Sequence, residues 1–449
     1  MPTAELPVSA GHPFYERLNR VLDEKKFDEF VEALCAAFYA AQRGRPGLAP
    51  GIYFRLLMVG YFEGIDSERG IAWRASDSLS IRSFVRIALD ETVPDHSTIS
   101  RTRRLIDVET HQAVFQWVLK MLAERKLLKG TTVGVDSTTL EANAALRSIR
   151  RRDSGEQYDE FLRRLANESG IETPTREQLA KLDRKRPKKG SNEEWQHPHD
   201  PDARITKMKD GRTHLAHKAE HAVDMETGAI VAVTVQPADE GDTQSIVETV
   251  AEAGERIAEA AAETNNEEDG EQVNPEGPAE VVTDKGYHSR AVVTALADAH
   301  VRTYCSEPNR GRQRWREQER EQQAVYANRR IRGPRGKRLL RKRGEMLERW
   351  NEHLYDRGGM RRVHLRGREN ILKRLVVHAG AANLGLLLRK ICGAGTPKAL
   401  QGSLAAAVSA LVGLNPEIGA FWRSAIVHSA NICARTMLPA PHSQLPSTA

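Results

Sequence analysis

Cysteine is scarce in this chain of 449 residues. The four thiols, Cys35, Cys305, Cys392 and Cys433, lie far apart, with no C-x-x-C pair and no paired histidines at zinc-finger distance. A disulfide framework and a thiolate zinc site are thereby set aside, and buried thiols are expected. Aromatic residues make up only 6%, which suggests solvated helices or partly unfolded stretches, while 40% hydrophobic and 29% charged residues are a globular composition that argues against wholesale disorder. Long apolar runs are missing as well. The longest stretches, around Leu404 to Leu414 and Ile426 to Met437, are broken by Gly, Ser, His, Asn or Arg before they reach about 18 residues, so no membrane span is expected. The opening MPTAELPVSAGHPFYERLNR has neither a basic region nor a long apolar one, so no secretory signal is read and a cytoplasmic location is expected.

A net charge of +6 says little about partners, but its distribution says more. From Arg302 to Arg374 there are 23 Lys or Arg against 9 Asp or Glu, including ANRRIRGPRGKRLLRKRGE and MRRVHLRGRENILKR. From Glu248 to Glu276 the balance reverses, with 10 acids against the single Arg256, and TNNEEDGEQVNPEGP reads as a polar linker. A second basic tract runs from Arg147 to RKRPKKGSNEE in polar, proline-bearing sequence, with a flexible segment expected from about Asn167 to Asp202. One charge run alone is usually a solvated face; two long basic tracts in a chain of modest net charge favour a nucleic-acid partner.

Residues 12 to about 125 read as helices, since FDEFVEALCAAFYAA and IYFRLLMVGYFEGI carry apolar residues at helical spacing. In VPDHSTISRTRRLI, Ser97 or Thr98 is placed to cap a helix exposing Arg101, Arg103 and Arg104. That helix reads either as the second of a helix-turn-helix or as an ordinary capped basic helix. After Gly130, TTVGVDSTT predicts a short strand delivering Asp136, followed by a helix over LEANAALRSIRRR. HLAHKAEHAVDMETGAIVAVTVQPA predicts a hairpin turning at Met-Glu-Thr-Gly. Then come the helix TQSIVETVAEAGERIAEAAAE, the strand AEVVTDKGYHS, the helix SRAVVTALADAH, the strand VRTYCSE and a long basic helical zone. The alternation implies an α/β architecture, a mixed sheet with helices packed on it.

Two carboxylates, Asp136 in GVDSTT and Asp284 in VTDKGY, each fall where a short apolar strand meets polar turn sequence. Open sheets collect ligands there. Taken alone, a strand-end Asp is more often a turn or helix cap than a ligand; on neighbouring strands the pair would converge on hard divalent cations, with a third acid completing the set.

At these residues the chain resembles the DDE-class transposases of bacterial insertion sequences. The likeness rests on GRPGLAPGIYFRLLMVGYFEGIDSERGIAWR and VPDHSTISRTRRL, then GVDSTTLEANAALRSIRRRDSGE, HKAEHAVDMETGAI, QPADEGDT, VVTDKGYHS and GGMRRVHLRGRENILKRLVVHAGAANLGLLLRK. It implies a ribonuclease H-like catalytic core preceded by an all-helical N-terminal domain that binds DNA. The expected division is a helical domain at 1–125, a catalytic domain at 126–390 with a basic insertion at 147–205 and an acidic linker at 262–278, and a helical tail at 391–449. In such proteins the first Asp ends the first core strand, the second follows the fourth strand in a D-x-G-Y type motif, and a Glu projects from a later basic helix.

Asp136 and Asp284 fit the first two places. For the third, LLRKRGEMLERWNEHLYDRGGMRR offers Glu345, Glu348 and Glu352 near one helix face. The family pattern, Glu-Arg followed by Gly-Gly-x-Arg-Arg, selects Glu348. The chain departs from it in having Trp350 and Asn351 after the Glu-Arg and Tyr355 in place of a Lys, whose DNA contact then passes to Arg357 or Arg349. The resemblance further implies two Mg²⁺ ions held by the three acids, with Mn²⁺ able to substitute, and double-stranded DNA, both transposon ends and target, as partner of a homodimer. Tyr287, His288 and Arg290 follow Asp284 closely enough to reach DNA, or else pack and cap the helix start. Arg341, Lys342, Arg343, Arg349, Arg361, Arg362 and Arg366 are the phosphate-contact candidates of the basic zone. LVVHAGAANLGLLLRKICG reads as an apolar helix packed behind the active-site helix, with His378 in the core. The alternatives are a catalytically inactive or repurposed DNA-binding protein, and a ribonuclease H-like metal-dependent nuclease.

Overall fold

The computed structural model describes residues 11–39, 47–186, 190–208, 210–264, 272–309, 311, 315 and 318–400. Seven helices come first: α1 (Pro13–Glu24), α2 (Phe27–Cys35), α3 (Pro50–Phe62), α4 (Glu68–Asp77), α5 (Leu79–Phe84), α6 (His96–Leu105) and α7 (Val108–Glu124). Helix α3 is apolar on every side and buried at every position but the half-buried Ile52, which makes it the axis of this bundle. Its one charge, Arg55, is fully buried and answered by Asp28, both of whose oxygens accept from the guanidinium at 3.0 Å. The α6 cap differs from expectation. Asp95, not Ser97 or Thr98, is the N-cap, its extended backbone aiming a carboxylate oxygen at the Thr98 N–H, 2.7 Å away.

The sheet follows. Its strands are β1 (Thr132–Ala142), β4 (Arg204–Lys207), β5 (Thr213–Asp224), β6 (Ile230–Pro237), β7 (Glu280–Thr283), β8 (Arg302–Cys305) and β9 (Arg362–Val363). Strand β5 pairs antiparallel with β1 along one edge and with β6 and β4 along the other, while β1, β7 and β8 run parallel. The succession β6, β5, β1, β7, β8 is the mixed order of a ribonuclease H-like core. The hairpin turns at Met225–Ala229, as the alternation predicts.

Strand β1 is longer than its sequence suggests. It runs past Asp136 to Ala142, because β5 supplies partners as far as the Glu141–Ala216 rung and Thr138, Leu140 and Ala142 point inward. The predicted helix over LEANAALRSIRRR is therefore absent; a 3-10 turn at Leu146–Ser148 and the short β2 (Arg150–Arg151) stand there instead. Nor is the following basic tract without structure. Helices α8 (Tyr158–Glu168) and α9 (Arg176–Lys185) pack through Leu162, Ala166 and Leu179, and β3 (Trp195–Gln196) pairs with β2 and buries Trp195 against Ala142, Ile149 and Leu215.

Helix α10 (Asp242–Thr264) covers β5 and β6 on one face, with α11 (Arg290–Asp298) beside it. The other face carries α13 (Pro334–Asn351), which α12 (Glu319–Asn328) precedes and a wide π-type turn at Glu352–Arg357 continues, and α14 (Arg368–Cys392), followed by the short α15 (Pro397–Leu400). Helix α14 packs chiefly on α7, β6 and α3 rather than behind α13 as expected. Among the described residues it alone is long and apolar enough to cross a membrane, and 89% of its apolar window is buried inside the protein, as befits a core helix. His378 sits in it fully buried, accepting a hydrogen bond from Arg374 Nε at 2.7 Å. Cys35 and Cys305 are buried and Cys392 is half-buried. Cys433, the apolar stretches beyond residue 400, most of the expected tail and residues 265–271 of the acidic linker lie outside the described residues.

Candidate active site

Register brings the two aspartates level. Strands β1 and β7 run parallel with Gly134 opposite Val282, and Asp136 and Asp284 lie two residues further along their respective chains. Asp136 is still within β1, opposite His221 of β5. Asp284 has left the sheet, and its carboxylate accepts the Gly286 N–H at 2.8 Å to close the turn Lys285–Tyr287. Helix α13 lies across β1 at Gly134: a Cβ there would stand 2.6 Å from Met225 Sδ and at ordinary contact distance, 3.4 to 3.5 Å, from Leu347 and Arg343. This close approach carries Arg343, Glu348 and Asn351 to the strand.

The result is a cavity of about 510 Å³ whose lining includes Asp136, Asp284 and Glu348 together. Glu345 is exposed on α13, and Glu352 is paired with Arg357 at 2.7 Å; neither lines the cavity. The three acids share the space without forming a closed ligand set, since no group of three or more His, Cys, Asp or Glu side chains is gathered around one point among the described residues. Asp136 is engaged by α13: Arg343 Nη2 donates to Oδ1 at 2.7 Å and Asn351 Nδ2 to Oδ2 at 2.9 Å. Beneath it His221 is fully buried, its imidazole pushed down to about 4 by desolvation, and Tyr355 is fully buried with its phenol pushed up by the same cause.

Residues not singled out from the sequence complete the wall. Asp242, the first residue of α10, accepts from Ser137 Oγ at 2.8 Å and from Lys218 Nζ at 3.3 Å. The Lys218 ammonium is nearly buried and also donates to Glu240 O and Ser245 Oγ, both at 3.0 Å. Below it lies Glu220, fully buried and accepting from Ser245, Thr249 and Tyr287; burial raises its carboxyl above the usual range despite those donors. A signal for this network did exist. In HKAEH the alternation of β5 sets Lys218 and Glu220 on one face of a central strand, where an apolar core would not place them.

Gly286 separates Asp242 from Asp284, since a Cβ at that position would lie 2.8 Å from one carboxylate and 3.1 Å from the other. Gly286→Ala is therefore expected to leave the unfolding midpoint nearly unchanged and to slow the reaction of this site by roughly 10²-fold, the penalty of an ångström-scale misplacement. Single-turnover kinetics beside a melting curve checks both halves.

The basic candidates divide. Arg101, Arg104, Arg341, Lys342, Arg349, Arg362 and Arg366 are exposed. Arg103 is not, contrary to expectation: it is 6% exposed, donates to Glu68 at 2.7 Å and also bonds Asn370, joining α6 to α4 and α14. Tyr287 and His288 are each 1% exposed, so they pack as core groups instead of reaching outward. Arg290 bonds Gln318 at 2.9 Å and stacks on Trp315, which makes it a tie between α11 and the start of α12. Arg343 is taken by Asp136, and Arg361 by Asp356 and Thr138.

Comparison with known families decides the identity. Residues 4–105 match the family described as Transposase domain (DUF772), and residues 185–384 match the family described as Transposase DDE domain, together well over half of the chain. The chain belongs to the DDE-class transposases of insertion sequences. No curated protein and no solved structure matches it. Asp284 and Glu348 of the transposase fall within its second matched segment, and Asp136 falls between the two.

Proposed function

We propose that this transposase binds the ends of its insertion sequence, cuts them and joins them to target DNA, using Asp136, Asp284 and Glu348 as its catalytic acids. The observation that carries the proposal is the shared cavity: three acids spread over more than 200 residues of sequence, from β1, the end of β7 and α13, line one space of about 510 Å³.

The donor chemistry of that cavity suits a hard divalent cation. Its lining sets five carboxylates, Asp136, Glu240, Asp242, Asp284 and Glu348, against two cations, Lys218 and Arg343. Asp136 with Asp284 would hold one Mg²⁺ and Asp136 with Glu348 a second, Mn²⁺ substituting. Bound there, the ions would stabilise the charge that develops on the entering and leaving oxygens of a phosphodiester. The protein's own part is positioning. Asp284 is held by its turn, Asp136 lies within strand β1, and Glu348 projects from helix α13, which packs across that strand.

Arg101 and Arg104 on α6 and Arg341, Lys342, Arg349, Arg362 and Arg366 around α13 and β9 are the proposed phosphate contacts, serving both transposon ends and target. Affinity should then fall steeply with salt. Replacing Arg341 and Lys342 together by alanine is expected to reduce the slope of log K against log salt by about 2, at about 0.9 per contact. Binding isotherms between about 50 and 200 mM salt measure it, and an unaltered slope would remove these two residues from the interface. Since two ends must be joined, the DNA complex is proposed to hold a homodimer.

The deciding experiment is incubation with a supercoiled plasmid that carries the cognate ends, with Mg²⁺ and then with EDTA. End-dependent cutting that EDTA stops is expected. Cutting that ignores the ends would indicate a general nuclease, and firm binding without any cutting would indicate a repurposed DNA-binding protein.

A further inference from the structure

Of the two cations in the cavity wall, Lys218 is committed to Asp242 and Arg343 to Asp136. Arg343 is held hard. Its side chain is 11% exposed, and besides the bond to Asp136 it gives Nη2 and Nε to Val135 O at 2.8 and 3.2 Å. With Asn351 on the second oxygen, both carboxylate oxygens of the first acid are occupied by donors from one helix. A divalent cation cannot approach Asp136 without meeting a guanidinium that already neutralises it.

We propose that Arg343 is a positioning residue which, in the free protein, stands in the cation's place on Asp136, so that the ion pair and cation binding exclude one another. The inference rests on the proposed function above. The surroundings fit an arrangement that is not yet at its bonding optimum: Asn351 Oδ1, the Tyr355 hydroxyl and both ring nitrogens of His221 are buried around Asp136 without hydrogen-bond partners among the described residues. The same helix carries Glu348 five residues further on, so a movement of α13 that releases Arg343 also moves the third acid. The free transposase would then be kept from loading metal tightly before its substrate is present, while the acids stay apart without unbalanced repulsion at Asp136.

The test is calorimetric titration of the full chain with Mn²⁺ in the absence of DNA, which reads binding and not turnover. Arg343→Gln is expected to bind Mn²⁺ at least about fivefold more tightly than the parent, because a like charge beside the ligand is gone. Adding Asp136→Asn to that variant should abolish the gain. A residue that merely braced Asp136 would give the opposite sign, since loosening the carboxylate weakens binding. Equal or weaker Mn²⁺ affinity in folded Arg343→Gln overturns the inference and leaves the metal-dependent reading standing, whereas no Mn²⁺ binding by parent and variant alike overturns both. Should Arg343→Gln fail to fold, Arg343→Lys carries the test. It keeps the charge but not the fork onto Val135 O, so affinity at least about twofold above the parent supports the inference and parent-like affinity overturns it.

Discussion

Exchanging Asp284 for asparagine is expected to lower end cleavage by at least about 10³-fold, roughly 4 kcal/mol of barrier, while DNA retention and the unfolding midpoint stay near those of the parent. The separation of effects follows from what Asp284 does locally. Its oxygen accepts the Gly286 N–H, and an amide oxygen in the same place accepts it equally well, so the turn survives and only the charge is lost. Glu348→Gln should behave alike, because Glu348 is exposed and forms no ion pair among the described residues. Asp136→Asn is a less clean instrument, since it also strips Arg343 of its counter-charge. Single-turnover cleavage beside a gel-retention titration makes the measurement. An Asp284→Asn protein that cuts within tenfold of the parent would remove this carboxylate from the chemistry.

The second large effect is acid sensitivity of the fold, and its source is two buried imidazoles well away from the cavity. His111 is fully buried; its Nδ1 donates to Asp107 O at 2.6 Å, which leaves Nε2 to accept from the Tyr53 hydroxyl at 2.8 Å. His378 accepts from Arg374 on one nitrogen. Burial, the leading cause for both, pushes His111 down to about 4 and His378 well below its ordinary value. The unfolded chain takes up these two protons near pH 6.5, where the folded protein refuses them. Stability from the pair is therefore complete above about pH 6.5 and is lost as pH falls below it, by about 2 kcal/mol for His111 at pH 5, with His378 acting in the same direction. Glu220 and Glu252, both raised by burial, work the other way, while His221, pushed down to about 4 by burial, adds to the acid sensitivity. Urea midpoints at pH 7.5 and pH 5 should differ clearly, the lower pH giving the lower midpoint; equal midpoints would mean that the histidines are not held neutral.

Much of this was legible in the sequence, for physical reasons that differ from element to element. The β5–β6 hairpin and the strand before Asp284 announced themselves by alternation and by turn residues, signals that need no knowledge of neighbours. The second half of β1 did not. LEANAALRSIRRR has good helix formers, and only the presence of β5 alongside turns Leu140 and Ala142 into strand residues facing a core. The helices of the basic insertion were obscured because their apolar contacts are few and small. Glu348 was separable from Glu345 and Glu352 by the family pattern and not by spacing; the alternation in HKAEH marks Lys218, whereas its partner Asp242 depends on a meeting of β5 with the first turn of α10 that no local pattern encodes. Arg103 was misread for the complementary reason: a charge on a helix looks solvent-facing until Glu68 arrives from another helix to cover it.

One apolar surface is continuous from α1 through the sheet to α14, and Arg368–Cys392 touches both the opening bundle and strand β6. Cutting the chain near residue 126 would therefore not yield two soluble halves. Each fragment would be left with a greasy flank that the other normally covers, so the opening helical bundle and the sheet with its helices must be inherited, expressed and engineered as one piece.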